Sequence, residues 1–406
     1  MRILLIHQNF PAQFVHLAPA LIAAGHDVRV LTAETNQRSF DFPVYRYRTP
    51  QRSKAEGPGA SYADAAMRGA VAARAAAALR REKGFVPDVV FGHGGWGETL
   101  FVRDVFPEAR HLTYAEFFYR TSGADTDFDP EFSLPATDDT RIKVVARSAH
   151  LLQAAVVADA AVSPTHWQAS TFPPEIRPKI SVIHDGIDTA RAAPDPSARL
   201  ALPGTDIVLA PGDEVLSFVN RQLEPYRGYH IFMRALPAVL AARPAARVVI
   251  VGGDGQSYGP RLPEGQTWKA KFLKEVEGSI DPARVHFLGQ VPYATYLSLI
   301  KVSRVHAYLT YPFVLGWSML EAMAAGALVI GSDTPPVREV IRDGENGRLV
   351  GFFDVAGWSA ALIAALADPR ADDALRRAGR ATVVEGYDLR TRALPRMMRF
   401  VTGGAA

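Results

Sequence analysis

Short apolar runs alternate with longer amphipathic stretches along the first half of the chain. A buried parallel strand is predicted at 2–7, a loop at 8–11, a helix from there to about residue 24 and a second strand at 27–32, which together make a β-α-β unit. The same alternation continues, so residues 1–190 are predicted to form one doubly wound α/β domain. Its other predicted strands are at 88–92, 111–114, 160–163 and 180–183, with helices near 62–83 and 141–158.

The alternation restarts after a stretch rich in proline, alanine and aspartate. That stretch, 191–212, has the composition of a linker. A second Rossmann-like domain is predicted over 213–380, and two such domains are expected to face a cleft at the carboxyl ends of their strands. Its predicted strands are at 216–219, 248–252, 285–288, 305–309 and 328–330, with helices after Gly228, at 293–301 and at 316–324.

Composition narrows the class of protein. The chain has 406 residues, 48% of them hydrophobic, which suits two globular domains. Its 45 basic and 42 acidic residues nearly cancel, so nucleic acid is not predicted as a partner. The absence of cysteine excludes disulfides and thiolate chemistry. The apolar run at the N-terminus is too short for a signal peptide or membrane span, and a cytoplasmic protein is expected.

One segment is locally basic. Residues 52–83 carry seven lysines and arginines against three acidic residues. Two interpretations stay open, a solvated helix face, which the composition favours, and a surface that contacts an anionic membrane or an acidic acceptor. A peripheral location at the inner face of the cell membrane would follow from the second.

The most informative stretch is 310–332, which reads as strand, Pro-Gly loop, helix and strand. The free N–H groups at the start of this helix, at Gly316, Trp317 and Ser318, form an anion site that suits a diphosphate. Glu321 lies about one turn further on, where its carboxylate can accept two ribose hydroxyls. The alternative for Glu321 is an ordinary exposed helix residue.

This stretch resembles the C-terminal signature of glycosyltransferase family 4, the retaining GT-B enzymes, in which a Glu-x7-Glu motif ends in a Leu-Glu-Ala-Met-Ala-x-Gly helix. Glu321 is the second glutamate of the motif, and the turn that follows is kept at 335–347. Phe313 stands where the family has its first glutamate, which contacts the hydroxyls of the donor sugar. The resemblance therefore implies a nucleotide-sugar site with an altered sugar contact.

A second segment, 218–228, is similar to the family's Arg and Lys-Gly pair six residues apart. Here the pair is Arg221 and Arg227, and two fixed cations would neutralise a diphosphate and the charge that grows on the leaving group. Segment 285–293 is similar to the loop whose backbone reads the base, which leaves uridine and guanosine undistinguished. The other predicted donor contacts are Asn220, Gly253, Val291, Tyr293 and Leu315.

Loops that follow strands of the first domain are expected on the acceptor side. His93 and Glu116 are candidates for proton handling or hydroxyl recognition, and a plain loop hydrogen bond is the alternative for His93. The amide-rich loop at 8–14 has two interpretations, contact with the acceptor or a phosphate, and a plain helix cap. The predicted acceptor-side residues are Gln8, Asn9, Phe10, Gln13, Trp96, Tyr119 and Arg120.

Three further features complete the prediction. Asp125 and Asp127 form an Asp-x-Asp sequence, which binds metal in another glycosyltransferase fold, but a solvated acidic loop is favoured and neither metal nor cofactor is expected. The segment 184–188 is similar to the family's hinge turn. By the same resemblance, the last helix within 381–406 is expected to return to the first domain.

The sequence as a whole predicts a retaining glycosyltransferase of the hexosyltransferase type, class EC 2.4. It would move a sugar from a nucleoside diphosphate sugar, with UDP favoured, to a hydroxyl acceptor such as a glycan, a lipid or a metabolite. Two alternatives stay open: a nucleotide-sugar epimerase of the same architecture, and a non-catalytic binding component of a glycosylation complex.

Overall fold

The computed structural model describes residues 1–133, 135, 137–368 and 370–404. The chain divides into two compact units. Unit 1 comprises Met1–Thr126, Pro135–Asp185 and Arg390–Ala406. Unit 2 comprises Asp127–Leu134 and Gly186–Leu389. Each unit is a layered α/β domain built on a parallel sheet.

Unit 1 has an alternating order of strands and helices. The strands are β1 (Arg2–Ile6), β2 (Asp27–Ala33), β3 (Val44–Tyr47), β4 (Val89–His93), β5 (Arg110–Tyr114), β6 (Ala160–Ser163) and β7 (Ile180–Val182). Between them lie α1 (Leu17–Ala23), α2 (Ala60–Lys83), α3 (Val102–Val105), α4 (Asp138–Val157) and α5 (His166–Thr171). The strand β3 was not predicted, because its sequence lies among charged and proline residues.

The sheet of unit 1 is parallel in the order β3-β2-β1-β4-β5-β6-β7. Apart from Arg2 at the start of β1 and His93 at the end of β4, both strands are apolar and buried, as expected for strands covered by helices on each side. The chain reverses its direction of winding between β1 and β4, and ligands of such sheets bind outside the carboxyl ends of the strands at this switch point.

Unit 2 repeats the arrangement. Its strands are β8 (Leu200–Ala201), β9 (Val208–Leu209), β10 (Val215–Gln222), β11 (Arg247–Gly253), β12 (Val285–Gly289), β13 (Val305–Tyr308), β14 (Leu328–Ser332) and β15 (Arg348–Val350). Its helices are α6 (Tyr229–Ala242), α7 (Trp268–Glu275), α8 (Tyr293–Val302), α9 (Trp317–Ala324), α10 (Pro335–Arg338), α11 (Val355–Ala367) and α12 (Asp373–Tyr387). The parallel sheet has the order β12-β11-β10-β13-β14-β15, so its switch point lies between β10 and β13.

The segment predicted as a linker is instead part of unit 2. Strands β8 and β9 pair as a short antiparallel hairpin, and Leu200, Leu202 and Leu209 are buried in the core of that unit. The prediction was wrong because proline and glycine are typical of tight hairpins as well as of linkers. The leucines that anchor the β8–β9 hairpin in the core are few and widely spaced. The change of unit falls earlier, between Asp185 and Gly186.

The chain's last helix, α13 (Leu394–Thr402), belongs to unit 1. Met397 and Val401 join the core that also holds β1 and β4, and the Phe400 ring lies 5.9 Å from that of Phe91. The Arg110 guanidinium donates to the Phe400 carbonyl at 2.9 Å. Within the described ranges, no helix combines the length and apolarity that a membrane span requires.

Candidate functional site

Arg227 lies in unit 2 in the loop after β10, beside the end of β13. Gly228 brings the two together: its φ is +66°, and a Cβ there would lie 2.2 Å from Cβ of Leu309. The Arg227 guanidinium donates to Oγ1 of Thr310 at 2.9 Å and to the carbonyl of Val314 at 2.8 Å. Both bonds use one terminal nitrogen, so the rest of the fork can face a ligand.

Phe313 is part of an aromatic cluster around this arginine. Its ring centroid is 5.6 Å from the Arg227 guanidinium, 4.7 Å from the Tyr258 ring and 5.6 Å from the Tyr226 ring. Phe313 is only 1% exposed. The residue that replaces the family's acidic sugar contact therefore packs behind the cation and cannot accept a hydrogen bond.

The loop after β11 lies over the same arginine. The buried carboxylate of Glu224 accepts the backbone N–H groups of Ser257 at 2.8 Å and Tyr258 at 3.1 Å. Burial raises the pKa of Glu224, while these two amide bonds and the nearby arginines act in the opposite direction. Glu224 thus fixes the position of Tyr258, whose ring centroid is 5.8 Å from the Arg227 guanidinium.

The start of α9 lies at the same edge of the sheet. Gly316 is the residue before the helix, and its N–H donates to the Tyr308 hydroxyl at 2.6 Å. Trp317 is exposed and Ser318 half-buried, so the first turn of the helix is reachable. Leu315 is buried and its side chain packs in the core of unit 2.

Glu321 is buried on α9 and is not the exposed helix residue of the alternative interpretation. Its two carboxylate oxygens accept hydrogen bonds from the hydroxyls of Tyr293 at 2.6 Å and Tyr296 at 2.7 Å. Burial raises the pKa of Glu321, and the two phenol hydrogen bonds partly offset the rise. The Arg191 guanidinium lies 4.8 Å from the Tyr293 ring centroid and supplies positive charge nearby.

The remaining predicted donor residues lie at the ends of β10, β11 and β12. Arg221 is exposed near the end of β10, where Asn220 is half-buried. Gly253 ends β11, and a Cβ there would lie 2.5 Å from Oε1 of Gln222, the end of a flexible side chain. Val291 follows β12 and packs against the core of unit 2.

A polar cluster occupies the switch point of unit 1. Nε2 of His93 lies 3.6 Å from Oε2 of Glu116, and the Gln13 side-chain amide donates to Oε1 of Glu116 at 3.2 Å. His7, which the sequence analysis did not select, lies 5.3 Å from His93 between ring centroids. Burial, aided by the neighbouring His93, lowers the pKa of His7 to about 3, while a hydrogen bond with Gln13 opposes that shift.

The two nitrogens of His93 are both engaged. Nδ1 accepts the Gly95 N–H at 3.0 Å, which leaves the proton of the neutral ring on Nε2, directed at Glu116. The His93 side chain is 3% exposed and that of Glu116 is 29% exposed. The group of this pair that can reach a ligand is therefore the Glu116 carboxylate, with His93 behind it.

The other predicted acceptor residues differ in their surroundings. Asn9 and Trp96 are exposed, while Gln8, Tyr119 and Arg120 are half-buried. The prediction fails for Phe10, which is buried among Phe14, Phe40 and Phe42. The Arg120 Nε donates to the Thr171 carbonyl at 2.8 Å, and its NH2 group donates to the Ser170 carbonyl, so this arginine holds α5 in place.

The acidic loop at 125–129 is solvated only in part: Asp127 is exposed, as predicted, but Asp125 and Asp129 are 2% and 0% exposed. The alternating acidic residues predicted an exposed loop, but the aromatic residue between them, Phe128, packs against the protein. Among the residues that the structure describes, no group of three His, Asp or Glu side chains is placed to hold a metal.

Two family models match the chain. One, described as "Glycosyl transferase family 4 group", matches residues 24–192. The other, described as "Glycosyl transferases group 1", matches residues 206–382. The chain belongs to the GT-B glycosyltransferases of family 4. The fold and family predicted from the sequence are thereby confirmed.

Curated relatives of this chain are named for inositol derivatives. A D-inositol 3-phosphate glycosyltransferase of Nocardia farcinica is 32% identical over 50% of this chain and 42% of its own. A phosphatidyl-myo-inositol mannosyltransferase of Mycolicibacterium smegmatis is 34% identical over 37% of this chain and 36% of its own. The matches thus span less than half the length of these relatives.

Solved structures share the fold over the whole chain. Sucrose-phosphate synthase of Thermosynechococcus elongatus has a TM-score of 0.72 at 18% identity, and the match covers 100% of both chains. An Anabaena protein, HepE, solved with UDP and glucose, has a TM-score of 0.68 at 15% identity, again over 100% of both chains. At these identities the likeness concerns the fold.

Proposed function

We propose that the protein transfers a sugar from a nucleoside diphosphate sugar to a hydroxyl acceptor, with retention at the anomeric carbon. The observation that carries the proposal is Arg227, fixed at the switch point of unit 2 at the loop that leads into α9. A cation beside a helix N-terminus is a site for a doubly charged phosphate group. The two Rossmann-like units and the family support the same conclusion.

The donor's diphosphate is proposed to bind the free edge of the Arg227 guanidinium and the first turn of α9. Its ribose is proposed to bind Glu321, in which each carboxylate oxygen already accepts one phenol hydroxyl and has a lone pair for another donor. The tyrosines hold the carboxylate in one orientation, so little side-chain freedom is lost when the ribose binds.

Arg227 would also stabilise the charge that grows on the leaving phosphate in the transition state, which is the larger catalytic contribution in such a site. Retention then requires no protein nucleophile, because the departing phosphate can itself take the proton of the incoming hydroxyl on the same face. Since Phe313 cannot accept hydrogen bonds, we propose that recognition of the donor sugar's hydroxyls depends on other groups than in the rest of the family.

We propose that the acceptor is a polyol of the inositol kind, free or in a lipid headgroup. The names of the relatives support this class. In unit 1 the Glu116 carboxylate, oriented by Gln13 and His93, can accept hydrogen bonds from acceptor hydroxyls. The donor base is left to experiment, because one relative is named for GDP-mannose and one structural neighbour was solved with UDP.

The test is product analysis by proton NMR with a panel of UDP, GDP, ADP and TDP sugars and myo-inositol or its phosphate. Retention predicts a new signal with the anomeric configuration of the donor. A product of inverted configuration would contradict the proposed mechanism. If the sugar of a donor is changed while it stays attached to the nucleotide, the epimerase is favoured. If every donor of the panel stays unchanged, the non-catalytic binding component is favoured.

A peripheral contact with an anionic membrane is also proposed. Four apolar side chains of α4 are exposed at helical spacing, Ile142, Val145, Leu152 and Val156, and basic residues flank the first two. Such a stripe with cations beside it suits a membrane surface, and the basic segment 52–83 lies in the same unit.

A double variant tests this contact. Ile142→Glu with Val156→Glu is expected to weaken binding to phosphatidylcholine vesicles that contain phosphatidylglycerol by roughly tenfold or more, because two apolar side chains that would enter the membrane surface are lost. Cosedimentation is the measurement, and Val384→Glu, an exposed valine of unit 2, is the matched control. The contact is refuted if the wild-type protein does not bind such vesicles, or if the double variant binds them as well as the wild type does.

A further inference from the structure

A short segment, residues 127–133, belongs to unit 2 although the chain on both sides of it belongs to unit 1. We call it the strap. Phe128 of the strap lies 5.1 Å from the Tyr311 ring and 5.0 Å from the Phe353 ring. Phe132 lies 5.0 Å from the Trp268 ring and 5.7 Å from the Phe272 ring, both on α7. The strap is thus packed at both ends.

A charged clamp holds the strap from outside. Arg234 on α6 donates to both carboxylate oxygens of Glu131, at 2.7 and 2.9 Å, and to Glu275 at 2.8 Å. These hydrogen bonds with Arg234 are the main reason that the pKa of Glu131 is lowered. Since the clamp is partly exposed, it contributes modestly to stability, and the aromatic contacts carry most of the attachment.

Asp129 lies at the centre of the strap and has no exposed surface. It accepts a hydrogen bond from the Tyr311 hydroxyl and one from the Glu131 N–H at 2.8 Å, and Nε2 of His230 lies 3.2 Å away. Burial alone would raise the pKa of Asp129, but the adjacent His230 and the hydrogen bonds from Tyr311 and Glu131 outweigh burial, and the pKa is lowered. Asp129 is therefore a buried carboxylate that keeps its charge.

Tyr311 connects this carboxylate to the donor site. Its N–H donates to the Tyr226 carbonyl at 3.0 Å, and its own carbonyl accepts the Phe313 N–H at 2.6 Å. The rings of Tyr311 and Tyr226 are 4.6 Å apart. Tyr226 directly precedes Arg227 in the sequence. Tyr311 therefore joins two loops. One carries Arg227, and the other carries Thr310 and Val314, which accept the hydrogen bonds of Arg227.

We propose that Asp129 is a positioning residue for the donor site: by holding the Tyr311 hydroxyl, it fixes the two loops that aim Arg227 at the donor diphosphate. A buried charge is costly, and apolar residues would pack the strap at lower cost, so a charge kept here points to a demand for one orientation of Tyr311. This inference rests on the proposed function, and Asp129 itself does not contact the donor.

Tyr311→Phe and Asp129→Asn test the inference in the full chain. Each removes the charged hydrogen bond with little change of volume and is expected to raise the donor KM by about tenfold, while the acceptor KM stays unchanged. The double variant should lose little more than either single variant, because both break one interaction. The matched control is Glu275→Gln, the same change of carboxylate to amide at the clamp, which is expected to keep the donor KM.

The unfolding midpoint of each variant separates positioning from folding. A donor KM that is unchanged in Tyr311→Phe, with or without a lower midpoint, overturns the inference. A rise of donor and acceptor KM by the same factor also overturns it, because it indicates general loosening. If the wild-type protein turns over no donor of the panel, the proposed function fails and the inference fails with it; a wild-type donor KM retained in Tyr311→Phe refutes the inference alone.

Discussion

Replacing Arg227 with alanine is expected to lower kcat/KM for sugar transfer by about 100- to 1,000-fold, the loss typical when one preorganised donor to a developing oxyanion is removed. The guanidinium is held in one position by its hydrogen bonds to Thr310 and Val314 and is flanked by aromatic rings. The measurement is steady-state transfer with the donor identified from the panel.

Two further variants sharpen this prediction. Arg227→Lys keeps the charge but not the planar fork, and roughly a tenth of wild-type activity is expected. Arg342→Ala removes an arginine of the same unit whose side chain is 78% exposed, and activity should be unchanged. If Arg227→Ala stays within threefold of wild type while Arg342→Ala behaves as expected, Arg227 is not part of the donor site.

Replacing Glu321 with alanine is expected to weaken nucleotide-sugar binding by roughly 30- to 100-fold, because two charge-assisted hydrogen bonds to the ribose are lost. The loss should depend on the ribose. Binding of inorganic pyrophosphate, measured by calorimetry, should be little changed in Glu321→Ala but should be lost in Arg227→Ala. The two variants therefore separate the ribose contact from the diphosphate contact.

The partners of Glu321 complicate the alanine variant, since its removal leaves two phenol hydroxyls without their acceptor. Tyr296→Phe is the control: it removes one of these hydrogen bonds and keeps the carboxylate. Nucleotide binding within a few-fold of wild type is expected for it. If Tyr296→Phe and Glu321→Ala weaken nucleotide and pyrophosphate equally, the effect comes from altered packing and the ribose assignment is wrong.

Much of the fold followed from local patterns. Buried parallel strands are continuous apolar runs, so β1, β4 and β10 could be predicted from their sequences to within a few residues. The β10–α6 loop and the segment around α9 could be predicted as parts of the site. A cation follows one strand and a helix start follows another, and ligands of α/β sheets bind at such strand ends. Such features are local in sequence, and a pattern of residues is enough to show them.

The rest depends on contacts between distant residues. The strap was misjudged because Asp129 finds Tyr311, which lies 182 positions away in the sequence. The tyrosines that orient Glu321 carried a weaker signal that could have been used, since Tyr293 and Tyr296 are three residues apart on one face of a predicted helix. Nothing in the sequence singles out His7, because a histidine at the end of a buried strand usually packs in the core.

Donor binding to unit 2 tests the central claim most directly. Thermal stabilisation is measured for the wild type, Arg227→Ala and Arg342→Ala with the panel of UDP, GDP, ADP and TDP sugars, since a ligand that binds the folded state raises its midpoint. We expect one nucleotide family to stabilise the wild type and Arg342→Ala but not Arg227→Ala. If no nucleotide sugar stabilises the wild type, or if Arg227→Ala is stabilised equally, a donor site at Arg227 is contradicted.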